Sequence, residues 1–271
     1  MNITPLQWRI AGGVGAVIVL AIAGFFLFGP QSEDATEPSS VTAVDEGPPP
    51  TDPPPAPPPQ PDEELILPPL DESDSLIREL ATALARHPGW LAWLATDNLI
   101  RTFVVVVDNV AEGNNPAEHV PFMKTEQRFE VEEADGQLRI ADTSFRRYDG
   151  LAATVDALDV SGSARLYAQL LPLMDEAYAE LGAPPDVTFH GTFQRAVVRL
   201  LETPVIEGRT AVAERGPFFA YTDPALESLS PATKQLMGVG PENLRTIQAK
   251  VRDIAEAIGL TDLPPGSVLL R

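Results

Sequence analysis

From about residue 75 onward, apolar side chains recur every three or four positions, the spacing of one buried helix face. Leu76, Ile77, Leu80 and Leu84 predict a first helix, entered through the cap-rich run Asp71, Glu72, Ser73, Asp74. Pro88 suits the first turn of a short helix that carries Trp90, Leu91 and Leu94. The four consecutive valines at 104–107 read as a strand by propensity alone. Ile100, Phe103, Val104, Val107 and Val110 nevertheless keep helical spacing up to Gly113, a natural helix end, so a helix capped by Asp97 is expected.

The period changes to two at 128–132, where Phe129 and Val131 alternate with charged residues. Asp135-Gly136 then marks a tight turn, and Leu138 and Ile140 alternate again. Helices are expected to resume at 144–158, 161–181 and 188–201. Pro172 lies inside the second of these, which should kink there. Val205, Ile206, Val212 and the run 218–221 suggest short extended pieces. Asp223-Pro224 and Ser230-Pro231 each pair a cap with a first-turn proline. A last helix at 241–258 shows Leu244, Ile247, Val251, Ile254 and Ile258 before Gly259. The predicted class is mainly α with a small antiparallel β element, an α+β domain.

The first seventy residues follow another pattern. Residues 10–28 are apolar or glycine without a charge, and nineteen residues of helix reach roughly 28 Å, close to a bilayer core of about 30 Å. A transmembrane helix is expected there. A cleaved signal peptide is the competing reading, but it would leave Phe25, Phe26, Leu27 and Phe28 after the cut at Ala21-Ile22-Ala23. Arg9 before the segment and Glu33, Asp34 and Glu37 after it place residues 1–9 in the cytoplasm and the bulk outside. Residues 29–65 then read as a disordered, acidic, Pro-rich linker, since proline lacks the N–H and fixes φ. In polyproline II geometry 48–61 alone spans roughly 43 Å. Residues 66–271 make one periplasmic domain.

Charge and composition narrow the chemistry. Net charge is −20, and 12 acidic residues with no basic ones lie between Arg9 and Arg78. That balance is wrong for nucleic acid. No cysteine is present, so thiol chemistry and disulfides are excluded. His87, His119 and His190 share no metal-ligand spacing, and no phosphate loop, dinucleotide fingerprint or nucleophile elbow occurs. Neither a metal nor a cofactor is expected. Carboxylates cluster at Glu126, Glu130, Glu132 and Glu133, and a converging pair would suit glycan cleavage. Arg146, Arg147, Tyr148 and Asp149 form the most unusual polar string and the candidate ligand-binding residues, since two arginines beside a tyrosine suit an anion or carboxylate.

Several stretches resemble the proteobacterial domain-of-unknown-function family numbered 3014. They are Leu67-Pro-Pro-Leu-Asp-Glu-Ser-Asp74, Asp97-Asn-Leu-Ile-Arg101, Arg147-Tyr-Asp149, the run 171–182, the run 229–236 and Gly240-Pro-Glu-Asn243. The resemblance implies a single membrane anchor and an envelope location, and it carries over no functional residue. The expected protein is a single-pass protein of the bacterial inner membrane, anchored through 10–28. Its periplasmic domain is a non-enzymatic interaction or scaffolding domain with an envelope protein as partner. A carboxylate-based hydrolase of glycan or peptide and a module binding an anionic ligand are the alternatives.

Overall fold

The computed structural model describes residues 65–120, 125, 127–184, 186–208, 210–216, 218–265 and the backbone of 269–270. The expected transmembrane helix and nearly all of the expected linker lie outside the described residues. Residues 30–66 form a unit of their own, of which Leu65 and Ile66 are described, without regular structure. The fold that follows is that of the other unit, from Leu67 onward.

A short 3-10 turn at Leu70–Glu72 leads into α1 (Asp74–Thr82), α2 (Pro88–Leu94) and α3 (Leu99–Glu112). A hairpin of β1 (Val131–Ala134) and β2 (Gln137–Ile140) follows, then α4 (Asp142–Arg146), α5 (Asp149–Asp156), α6 (Val160–Glu180) and α7 (Phe189–Glu202). The last part holds β3 (Val205–Ile206), β4 (Ala211–Arg215), β5 (Phe218–Tyr221), α8 (Pro224–Glu227), α9 (Pro231–Met237), α10 (Pro241–Ile258) and β6 (Leu269–Leu270). The domain is mainly helical. Its antiparallel sheet runs β1-β2-β4-β5, and a separate parallel pair joins β3 to β6.

The helix α3 forms where four valines favour a strand because its apolar face has somewhere to go. Ile100, Phe103, Val104, Val106, Val107 and Val110 are all buried, against α6 and α7. Phe103 packs on Phe189 and Phe193 at ring separations of 5.4 and 6.2 Å. Burial at about 1.5–3 kcal/mol per large apolar side chain outweighs a propensity deficit of a few tenths per valine. Its ends are satisfied from a distance. Asp97 is not the cap. Asn98 holds that position in left-handed backbone, at φ 52°, and uses no side-chain bond. The carboxylate comes from Asp74, whose oxygens accept the Asn98 and Leu99 amides at 3.0 and 3.4 Å. At the other end Arg199 donates to the Ala111 carbonyl at 2.9 Å. An anion at the N-terminus and a cation at the C-terminus both suit the helix dipole. Among the described residues no single helix is long and apolar enough to cross a membrane.

One further expectation is refined. Residues 144–158 are not one helix but α4 and α5, broken at Arg147 and Tyr148. The helix α6 runs unbroken through Pro172. Proline there removes a bond to the Ala168 carbonyl, and both residues are exposed, so that carbonyl is open to solvent. Trp90 and Trp93 are core residues, 0% and 2% exposed, so they form no open stacking platform. His87 caps α2, its Nδ1 accepting the Gly89 amide at 3.2 Å. His190 bonds the Tyr167 hydroxyl at 2.9 Å. Asp223 and Ser230 cap α8 and α9 as their pairing with proline predicts.

Candidate functional site

The break between α4 and α5 is built by long-range bonds. Ser144 is buried, and its Oγ both accepts the Glu130 amide (2.6 Å) and donates to the Glu130 carbonyl (2.8 Å). That pins α4 to the start of β1. From the other side the Asn243 amide donates to the Phe145 carbonyl, Asp149 Oδ1 and the Val239 carbonyl, at 3.0–3.1 Å. Gly240 makes this approach possible. Its φ is +89°, and a Cβ there would lie 2.6 Å from the Cβ of Phe145.

The break divides the four predicted site residues between two clefts. Arg146 and Asp149 line one of about 440 Å³, with Asp142, Phe145, Glu242 and Asn243. Arg147 and Tyr148 line another of about 400 Å³, with Phe129, Phe219, Tyr221, Glu227 and Lys234. The four residues are therefore contiguous in sequence but line two different clefts.

The second cleft has the more specific geometry. Its floor is the sheet face that carries Ile140, Val212, Phe219 and Tyr221, as strand alternation and the β4–β5 register require. Ile140 and Val212 are buried there. The helix α9 stands over this face, and the Tyr221 hydroxyl donates to the Lys234 carbonyl at 3.4 Å. Arg147, which also lines the cleft, donates from Nε to the Ser144 carbonyl (2.8 Å) and from Nη1 to the Gln127 carbonyl (3.2 Å). Its guanidinium carbon lies 5.1 Å from the centre of the Tyr148 ring and 5.6 Å from that of Phe129, within cation–π reach of both. Among the described residues it pairs with no carboxylate.

Glu227 is the carboxylate of this cleft, and it is fully engaged. Oε1 accepts Lys234 Nζ at 3.1 Å and Oε2 accepts the Tyr221 amide at 3.0 Å. Those two bonds hold its carboxyl below the usual range, against a smaller opposing effect of burial. Lys234 also donates to the Glu227 carbonyl at 3.0 Å. Tyr221 is pushed up to about 12 by burial and by the Glu227 charge. Tyr148 is raised by burial, partly offset by Arg147. The two phenols therefore stay neutral at ordinary pH, and the carboxylate stays ionised. This set can receive a charged or polar group.

Carboxyls with raised pKa occur elsewhere. Asp74 is raised by burial, but it caps α3. Asp108 is raised by burial and by Glu112. Neither lines the clefts described. The predicted hairpin cluster also separates, because β1 alternates Glu132 and Glu133 to opposite faces. Glu126 lies outside the described residues. Sequence reasoning missed Phe129, Phe219, Tyr221, Glu227 and Lys234 as partners of Arg147. The apolar pair Phe218-Phe219 in the short extended run 218–221 was the one local signal available.

These features define a small α+β domain with an aromatic, arginine-bearing cleft between its sheet and a helix. Residues 99–255 match the family model described as protein of unknown function (DUF3014), and the chain belongs to that family. No curated protein and no solved structure matches it.

Proposed function

We propose that this chain is an inner-membrane protein of the bacterial envelope, anchored by residues 10–28, whose domain is a non-enzymatic interaction module. The linker of 29–65 holds that module off the membrane. Partner recognition takes place in the cleft of Arg147, Phe129 and Phe219. The observation that supports this most is the state of the cleft's charged groups. Arg147 is held by two backbone carbonyls and two rings, while Glu227 is ionised and committed to Lys234 and Tyr221. That is a surface made for recognition, in which polar groups fix orientation and aromatic groups supply area. A carboxylate-based hydrolase has less support, since it needs a raised carboxyl in a concave site.

The test is crosslinking in cells followed by affinity capture of the full-length protein. The control keeps residues 1–61 alone. A partner captured only when the domain is present is the expected result. Capture of the same proteins by both forms would refute an interaction role for the domain.

A further inference from the structure

The geometry points to the chemistry of the partner at this cleft: an extended peptide segment bearing an acidic side chain. The inference rests on the recognition reading above and deepens it. Tyr148, Arg147, Phe129 and Phe219 form one continuous stack. Its successive separations are 5.1, 5.6 and 5.4 Å. Phe129 and Phe219 are each 37% exposed, so the stack is open at that end. Arg147 spends one N–H of Nε and one of Nη1 on carbonyls. Its remaining N–H groups, those of Nη2 among them, can donate to the oxygens of a carboxylate.

The sheet edge says that the ligand has a peptide backbone. Thr222 donates its amide to Ala211 of β4, so alternation turns the backbone groups of Ala220 and Phe218 toward β4. Those of Phe219 and Tyr221 face outward. The Tyr221 amide is taken by Glu227. The Phe219 N–H and C=O have no partner among the described residues. An extended chain satisfies both at once, as in strand addition to an exposed edge. A free anion without N–H or O–H groups offers no donor to the Phe219 carbonyl. Two contacts of 5.6 and 5.4 Å separate the Arg147 guanidinium from the Phe219 ring, a path covered by about three or four extended residues.

Charge selects an acidic segment. The cleft carries Arg147 and Lys234 against Glu227 alone. From Arg78 onward, however, the chain holds 27 acidic and 18 basic residues. A cationic cleft on an acidic domain admits an acidic segment while the rest of the surface repels it, which favours correct docking.

The experiment titrates the full-length protein in detergent with acetyl-Phe-Glu-Phe-Glu-Phe-amide, with its glutamine counterpart, and with digalacturonate as an anionic sugar of equal charge. Binding is read by calorimetry. The acidic peptide should bind at least about ten-fold more tightly than the glutamine peptide, about the discrimination expected of one charge-assisted pair. R147Q should lose that factor, R147K should keep part of it, and R146Q, in the other cleft, should behave as wild type. Equal binding of the two peptides, no peptide binding at millimolar concentration, or an equal loss in R146Q would overturn the inference. Binding of digalacturonate through Arg147 without peptide binding would reassign the site to anionic glycan. If R147Q does not fold, the two peptides on the wild type and on F219A decide the matter. A domain-dependent partner captured from cells together with failure of every peptide would sink this inference and leave the interaction reading standing.

Discussion

Replacing Gly240 by alanine should be among the most damaging single-methyl changes in this domain. Two independent costs add. The backbone sits at φ 89° and ψ 160°, a region that is essentially reserved for glycine, and holding another residue there costs about 1–3 kcal/mol. The new methyl would also stand 2.6 Å from both the Cβ and Cγ of Phe145 and 2.9 Å from its Cδ1. Phe145 cannot simply swing away, because its own Cβ is one of the clashing atoms and its carbonyl is held by Asn243 at 3.1 Å. Overpacking of that kind costs about 1–3 kcal/mol. The sum is about 2–6 kcal/mol, which for a domain near 200 residues lowers Tm by at least about 4–8 °C. The matched control is G136A. Gly136 also has positive φ, 74°, but a Cβ there meets nothing within 4 Å. It should lose only the left-handed penalty, about 1–2 kcal/mol. Urea unfolding of both variants measures the difference. If G240A cost no more than G136A, the close approach of α10 to α4 would not be the constraint described here.

The capping of α3 from a distance gives a second expectation: D74A should cost about 1–2 kcal/mol in urea unfolding, and D97A, which loses an exposed pair with Arg78 at 3.4 Å, less than about 1. The reverse order would restore Asp97 as the cap. A third concerns Glu180, whose carboxyl is lowered chiefly by its bonds from Arg101 at 2.6 and 2.8 Å. A lowered folded pKa means stability that is present above the unfolded value, near 4.5, and lost as pH falls through the folded one. Wild type should therefore exceed E180Q in stability at neutral pH by at most about 1 kcal/mol, since the pair is half exposed. The gap should close in acid. A gap that persists or widens well below pH 4 would mean that the charge on Glu180 is not its source.

Much of the fold could be read from the chain because local signals and burial agree. The spacing from Ile100 to Val110 outvoted the valine run, and the structure shows those residues buried. The turn at Asp135-Gly136 takes the positive φ values, 55° and 74°, that such a pair favours in a hairpin. The errors share one physical origin. Asp97 was the nearer acid to α3, but Asp74, 24 residues before Asn98, reaches its first amides. Nothing between 144 and 149 breaks a helix by propensity. The break is imposed by Glu130 and Asn243, 14 residues before Ser144 and 98 after Phe145. The site was half legible for the same reason. Arg147 stood out by composition, but the rings against it come from 129 and 148 and the next ring from 219, and no periodicity links those positions.

The parallel pairing of β3 with β6 has a consequence in time. Val205 and Ile206 are matched to Leu269 and Leu270, with β4, β5 and three helices in between. A chain that emerges from its amino terminus completes α3, α6 and α7 long before that ladder has both its strands. Until residue 270 has arrived, β3 presents an unpaired apolar edge, the kind of surface on which nascent chains stick to one another. The window of exposure thus spans the sixty or so residues synthesised between Ile206 and Leu269.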